Sequence, residues 1–167
     1  MNEKAGWLTL AYRSGLSDFD KQDRAERGEI PDHAEDRDVA AVLALEELGV
    51  RLISLNEDEF PERLRFEGGP VLAQVVGCVD LIDTDEVKFL GGTGAKGRQA
   101  IADALEAGDR IVIVLSKGML KARSMLNALR EPIEDGSVTL LSVEPPQSTW
   151  GPIRDANRDQ LMVALQR

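Results

Sequence analysis

One cysteine, Cys78, and one histidine, His33, stand in a chain of 167 residues. A single thiol cannot close an internal disulfide, and its scarcity fits a reducing cytoplasm. With no cluster of either residue, a zinc site and a Ser-His-Asp triad both lack support. No apolar run approaches the ~18 residues that mark a bilayer span, so no membrane partner is expected. The opening MNEKAGWLTLAYRSG has too short an apolar stretch, and no small-residue cleavage site, for a signal peptide. Aromatics make up only 4% of the chain. Trp150 alone falls near a plausible ligand edge, so base stacking on the protein would be limited.

The composition that remains supports a core: 43% of residues are hydrophobic. The length suits one α/β domain with a modest helical appendage rather than two full domains. Cys78 lies in the apolar run VLAQVVGCV and is expected to be a small buried side chain. Net charge is −10, which ordinarily disfavours nucleic acid. Its distribution alters that inference. Residues 96–130 hold seven bases (Lys96, Arg98, Arg110, Lys117, Lys121, Arg123, Arg130) against three acids, a local excess of four positive charges. Residues 1–50 instead carry twelve acids and six bases. Arg110 and Arg130 read as ordinary solvated charges; the other five surround a glycine-rich turn.

That turn organises the chain. Residues 86–117, EVKFLGGTGAKGRQAIADALEAGDRIVIVLSK, read as strand, glycine turn, helix and strand. A helix is expected from about Arg98 to Ala107, with Ile101, Ala104, Leu105 and Gly108 on one face. Ile111–Leu115 is continuously apolar, as in a strand covered on both sides. The unit is a βαβ with its turn at the carboxyl end of the first strand. Gly92-Thr93-Gly94-Ala95-Lys96-Gly97 fits G-x-G-x-x-G. Glycines there permit a tight turn and let backbone N–H groups approach an anion, with the helix N-terminus adding partial positive charge. A P-loop needs Gly-Lys-Ser/Thr, whereas Gly97 and Arg98 follow Lys96. An NAD site wants an acid about 20 residues on, and Lys117 stands there, favouring a phosphate. A plain tight turn with no ligand is the competing reading.

Around this unit, residues 5–13 have helical spacing, with Trp7, Leu8 and Leu10 or Ala11 inward. Residues 17–38 are densely charged and read as a loop with room for a short helix. Asp38 is placed to cap a helix over Val39–Leu48, ended by Gly49. Strands are expected at Val50–Leu55, in VLAQVVGCV and at Val138–Val143. Helices are expected through Leu64, over Lys121–Glu131 with Met125, Leu126 and Leu129 inward, and over Ile153–Leu165. The expected organisation is an N-terminal helical region, 1–49, and a Rossmann-like domain, 50–167.

From Val50 onward the motif order resembles the DNA-processing protein A family (DprA, also called Smf), within the group that includes the LOG phosphoribohydrolases. EFPERL with GGPVLAQVVG is similar to that family's entry segment. FLGGTGAKGRQAIADALEAGDRIVIVLSKGM is similar to its core, SVTLLSVEPP to a later strand and turn, and RDANRDQL faintly to a later segment. The sequence departs from the pattern in several places. The family's earlier G-S-R loop with its helix and strand is missing, so the sheet reads as abbreviated. The "GID" position is Gly97-Arg98-Gln99, the histidine after it is absent, and no winged-helix tail follows. GGTGAKGRQ also lacks the glutamate that LOG-type hydrolysis needs.

The resemblance implies an α/β, Rossmann-like three-layer sandwich with a mostly parallel sheet. It implies single-stranded DNA binding without catalysis and help to a RecA-type recombinase; no cofactor is expected, and a homodimer is one open state of assembly. Its phosphate contacts would come from Gly91, Gly92, Thr93, Gly94, Lys96, Gly97, Arg98, Lys117, Lys121 and Arg123. Two other readings stay open. One is a protein-interaction module whose acidic N-terminal region meets a basic partner. The other is a protein that binds or hydrolyses a nucleotide, with Glu144 or Asp155 as acid or base.

Overall fold

The computed structural model describes residues 3–13, 15–91, 94–116, 118–146 and 161–166. Three helices come first: α1 (Glu3–Ala11), α2 (Asp18–Glu26) and α3 (Asp36–Glu47). Strands β1 (Arg51–Ser54) and β2 (Leu72–Val76) follow, then β3 (Lys88–Gly91), α4 (Gly94–Glu106) and β4 (Ile111–Val114). Helices α5 (Arg123–Ala128) and α6 (Arg130–Glu134) lead to β5 (Val138–Ser142). Residues 161–165 are helical.

The five strands form one mixed sheet in the order β1-β2-β5-β4-β3. β3, β4 and β5 are paired in parallel, while β2 is antiparallel to both β5 and β1. Four strands therefore point the same way, and β2 alone is reversed. The parallel half follows from its connections: α4 carries β3 into β4, and α5–α6 carry β4 into β5. Every residue of β2, β4 and β5 is buried, as expected for β4's unbroken apolar run, and the burial includes Gln74 in β2 and Thr139 and Ser142 in β5.

α1 packs on α3, β1 and β2. Trp7, Leu8 and Leu10 join Leu52, Ile53 and the strands in one apolar cluster. Met125, Leu126 and Leu129 pack on it as their spacing predicts, as do Leu161 and Leu165 near the chain's end. Arg63 holds several pieces together. Its guanidinium donates to Leu165 O (3.0 Å) and Thr84 O (3.2 Å) and lies 5.3 Å from the Phe89 ring centre.

The short helix allowed for among the charged residues is α2, with Ser17 accepting from the Asp20 N–H as its N-cap. Three local expectations are corrected. Asp38 is not a cap. The helix begins at Asp36, and Asp38 is buried inside it, accepting from the Thr9 hydroxyl at 2.5 Å. Cys78 is exposed, because β2 ends at Val76 and Gly77 turns the chain at φ 105°. The glycine-turn helix begins at Gly94 rather than near Arg98, so Lys96, Gly97 and Arg98 all lie inside it.

Candidate nucleic-acid interface

β3 and β4 are parallel neighbours with Gly91 level with Val114, so the turn leaving β3 and the loop leaving β4 emerge side by side. Gly91 ends β3 and is exposed. Gly94 opens α4, and with 13 residues α4 has a well-developed N-terminus whose first N–H groups lack intrahelical partners. Lys96 and Arg98 are exposed in its first two turns, with half-buried Gly97 between them. Two residues apart on a helix, these side chains diverge, so they would meet different phosphates rather than one. Gly92 and Thr93 lie outside the described residues, as does Lys117.

After β4 the chain is held by Gly118. A side chain there would run into the backbone oxygens of Pro145 and Pro146. This glycine therefore lets the loop after β4 lie against the loop after β5. Met119, fully buried, anchors the single turn Met119–Lys121. Lys121 and Arg123 are exposed beyond it. The described cations of the predicted set thus gather at the carboxyl ends of β3 and β4. Arg110 precedes β4 and so belongs to the opposite edge. There Lys88 also pairs with Asp109 at 2.7 Å.

Beneath the neighbouring strands is a buried polar network that the apolar patterning did not reveal. The Gln74 amide donates to the Tyr12 hydroxyl (2.8 Å) and to Glu144 O (2.6 Å), and the Tyr12 hydroxyl reaches Val143 O at 3.3 Å. Burial pushes the Tyr12 hydroxyl's pKa far up, with the Gln74 hydrogen bond opposing and the Glu144 charge adding to the rise. Tyr12 is therefore a neutral positioning group that ties α1 to the strand leaving β5. The signal in the sequence was a glutamine, Gln74, inside VLAQVVG. Glu144 is 7% exposed, a poor place for a base that must reach solvent-borne substrate. Asp155 lies outside the described residues. Among the described residues no group of three His, Cys, Asp or Glu side chains could hold a metal ion, and no helix is long and apolar enough to cross a membrane.

A mixed α/β sheet with a glycine turn at the carboxyl edge of its parallel half defines a Rossmann-type protein. The solved structures include one similar in this arrangement, DNA processing protein A (DprA) from Streptococcus pneumoniae. It is 16% identical, with a TM-score of 0.57, over 99% of this chain and 76% of that one. No protein-family model and no curated protein matches the sequence. At that identity the likeness establishes a DprA-like fold.

Proposed function

We propose that this protein binds single-stranded DNA without catalysis and acts in DNA processing or recombination. The observation that carries the reading is one of placement. The chain's most basic stretch, residues 96–130 with an excess of four positive charges, surrounds the glycine turn and the loop after β4, at the edge where Rossmann-type sheets take phosphates. Backbone N–H groups from Gly91 to Gly97 would approach the phosphates. Lys96, Arg98, Lys117, Lys121 and Arg123 would pair with them along the strand. The surrounding acidity favours a short, flexible single strand over a long duplex, which would meet repulsion on both sides. The likeness in fold to a DNA-processing protein supports the same reading. Its finer form is a mediator that helps a RecA-type recombinase onto the strand, working as a homodimer.

Fluorescence anisotropy with labelled oligo-dT, duplex DNA and ATP tests this directly. Preference for oligo-dT at low salt is expected. Binding of ATP alone would move the protein to the nucleotide-binding reading, and binding of nothing would end the proposal. Loading of a RecA-type recombinase onto oligo-dT coated with single-strand-binding protein tests the mediator role. Sedimentation velocity tests the dimer.

A further inference from the structure

An open groove of about 700 Å³ lies between α2 and the chain that follows β1. Phe19, Gln22 and Glu26 line it from α2, and Leu55, Phe66 and Glu67 from the other side. It sits at the β1 end of the sheet. The glycine turn sits at the β3 end, four strand spacings or about 19 Å away.

The groove is built rather than incidental. The Gln22 side chain donates to Phe66 O (2.8 Å) and accepts from the Gly68 N–H (2.9 Å), clamping α2 to the facing chain. Lys21 adds a bond from its ammonium to Ala11 O at 2.8 Å. The floor is apolar, since Leu55 and Ala25 are buried. At the lip, Phe19 is 58% exposed, its ring standing over Gly68 of the facing chain and leaving apolar surface to solvent.

The rim is net acidic. Glu26 and Glu67 line it with Asp23, which pairs with Arg27 at 2.5 Å, and Arg65 is the base among the lining residues. That guanidinium is committed elsewhere: it donates to Leu55 O (3.0 Å) and Glu57 O (2.8 Å) and lies 5.1 Å from the Phe60 ring centre. The flanking segments reinforce the field. Residues 18–29 carry five acids and three bases, and residues 55–67 carry five acids and two bases. Such walls repel a phosphate backbone and attract cationic side chains.

We propose that this groove docks a basic segment of a protein partner, one in which Lys or Arg residues flank a bulky apolar side chain. The apolar side chain would fill the floor against Leu55 and Phe66, under Phe19, and the cations would face Glu26 and Glu67. A second copy of this chain fits less well. Carrying a net charge of −10 itself, it would be repelled as a whole by the acidic rim. The inference is independent of the DNA reading, because none of the groove's residues belongs to the phosphate-facing set.

The test is selection of a displayed random dodecapeptide library on the whole protein, followed by anisotropy with the enriched peptides. Three variants accompany wild type: Phe19→Ser, Glu26→Lys/Glu67→Lys, and Glu46→Lys/Glu47→Lys. The last makes the same charge change on exposed positions of α3. Enrichment of Lys/Arg-rich peptides with a Leu or aromatic residue is expected. Their affinity should fall about tenfold or more in the first two variants and by less than about twofold in the third. An acidic or uncharged consensus would overturn the proposal, as would no enrichment. So would equal loss in all three variants, which would mean non-specific attraction. Oligo-dT binding is measured on the same variants and should not fall. Concentration-dependent self-association of wild type that Glu26→Lys/Glu67→Lys abolishes would assign the groove to a second copy instead.

Discussion

Salt gives the sharpest quantitative handle on the proposed DNA edge. Four exposed cations of the described residues stand there: Lys96, Arg98, Lys121 and Arg123. If each neutralises one phosphate of a single strand and Lys117 a fifth, log Kobs should fall against log salt with a slope of about −3.5. Going from 50 to 200 mM NaCl would then weaken oligo-dT binding about 130-fold. Lys96→Ala/Arg98→Ala removes two contacts within α4, where alanine suits the helix. Its slope should be about −2.1, and the same salt step should cost only about 18-fold. Anisotropy titrations at four salt concentrations read both slopes, and circular dichroism checks that the variant keeps its helix content. A wild-type slope near zero would refute the phosphate contacts. An unchanged slope in the variant would remove α4 from the interface.

Other perturbations separate fold from site. Gly118→Ala should cost about 3 kcal/mol or more in urea unfolding, because the new methyl meets backbone at Pro145 and Pro146 rather than a yielding side chain. Gly91→Ala has open space around the added methyl, so its stability should stay within about 0.5 kcal/mol of wild type while oligo-dT binding weakens. Glu57 is partly buried, which opposes ionisation. Hydrogen bonds from Lys4 and from the Ser54 N–H and hydroxyl outweigh that burial and hold its carboxyl below the ordinary 4.5. Glu57→Gln should therefore destabilise by about 1–2 kcal/mol at pH 7. The wild-type advantage should be present above pH 4.5 and fade as pH falls through the depressed folded value. Asp38 behaves in the opposite sense. Burial raises its pKa above the ordinary 3.8, against the Thr9 hydrogen bond and the Arg37 charge. Its ionisation thus weighs against the folded state at neutral pH. Asp38→Asn should raise the melting temperature at pH 7, and the gain should vanish as pH falls to 3.8.

The core of the fold was legible wherever one sequence pattern had one structural solution. Ile111–Leu115 could only be a covered strand, and the glycine turn between it and the preceding strand located the βαβ unit. What the sequence could not carry was long-range pairing. Nothing in LAQVV says that β2 runs against its neighbours, because a buried antiparallel strand and a buried parallel one read alike. Tertiary partners also overrode local signals. Asp38 looks like a cap until Thr9, 29 residues away, proves to be its partner inside the fold. Cys78 looks buried until Gly77 turns the chain outward. The candidate edge was legible as a set of residues, since charge and glycine clustered together. The registry of β3 against β4, which sets Gly91 level with Val114, needed the structure. Tyr12 and the groove beside α2 depend on contacts spanning 40 residues or more, as between Gln22 and Phe66, and no local pattern encodes those.

The measurement closest to the central claim is an amide-shift map of the protein titrated with oligo-dT. The account predicts that the amides of Gly91, Gly94–Arg98 and Met119–Arg123 move with added DNA, while those of Phe19, Glu26 and Glu67 stay in place. Movement centred on α2 and the chain after β1, or no movement at DNA concentrations that saturate anisotropy, would contradict it.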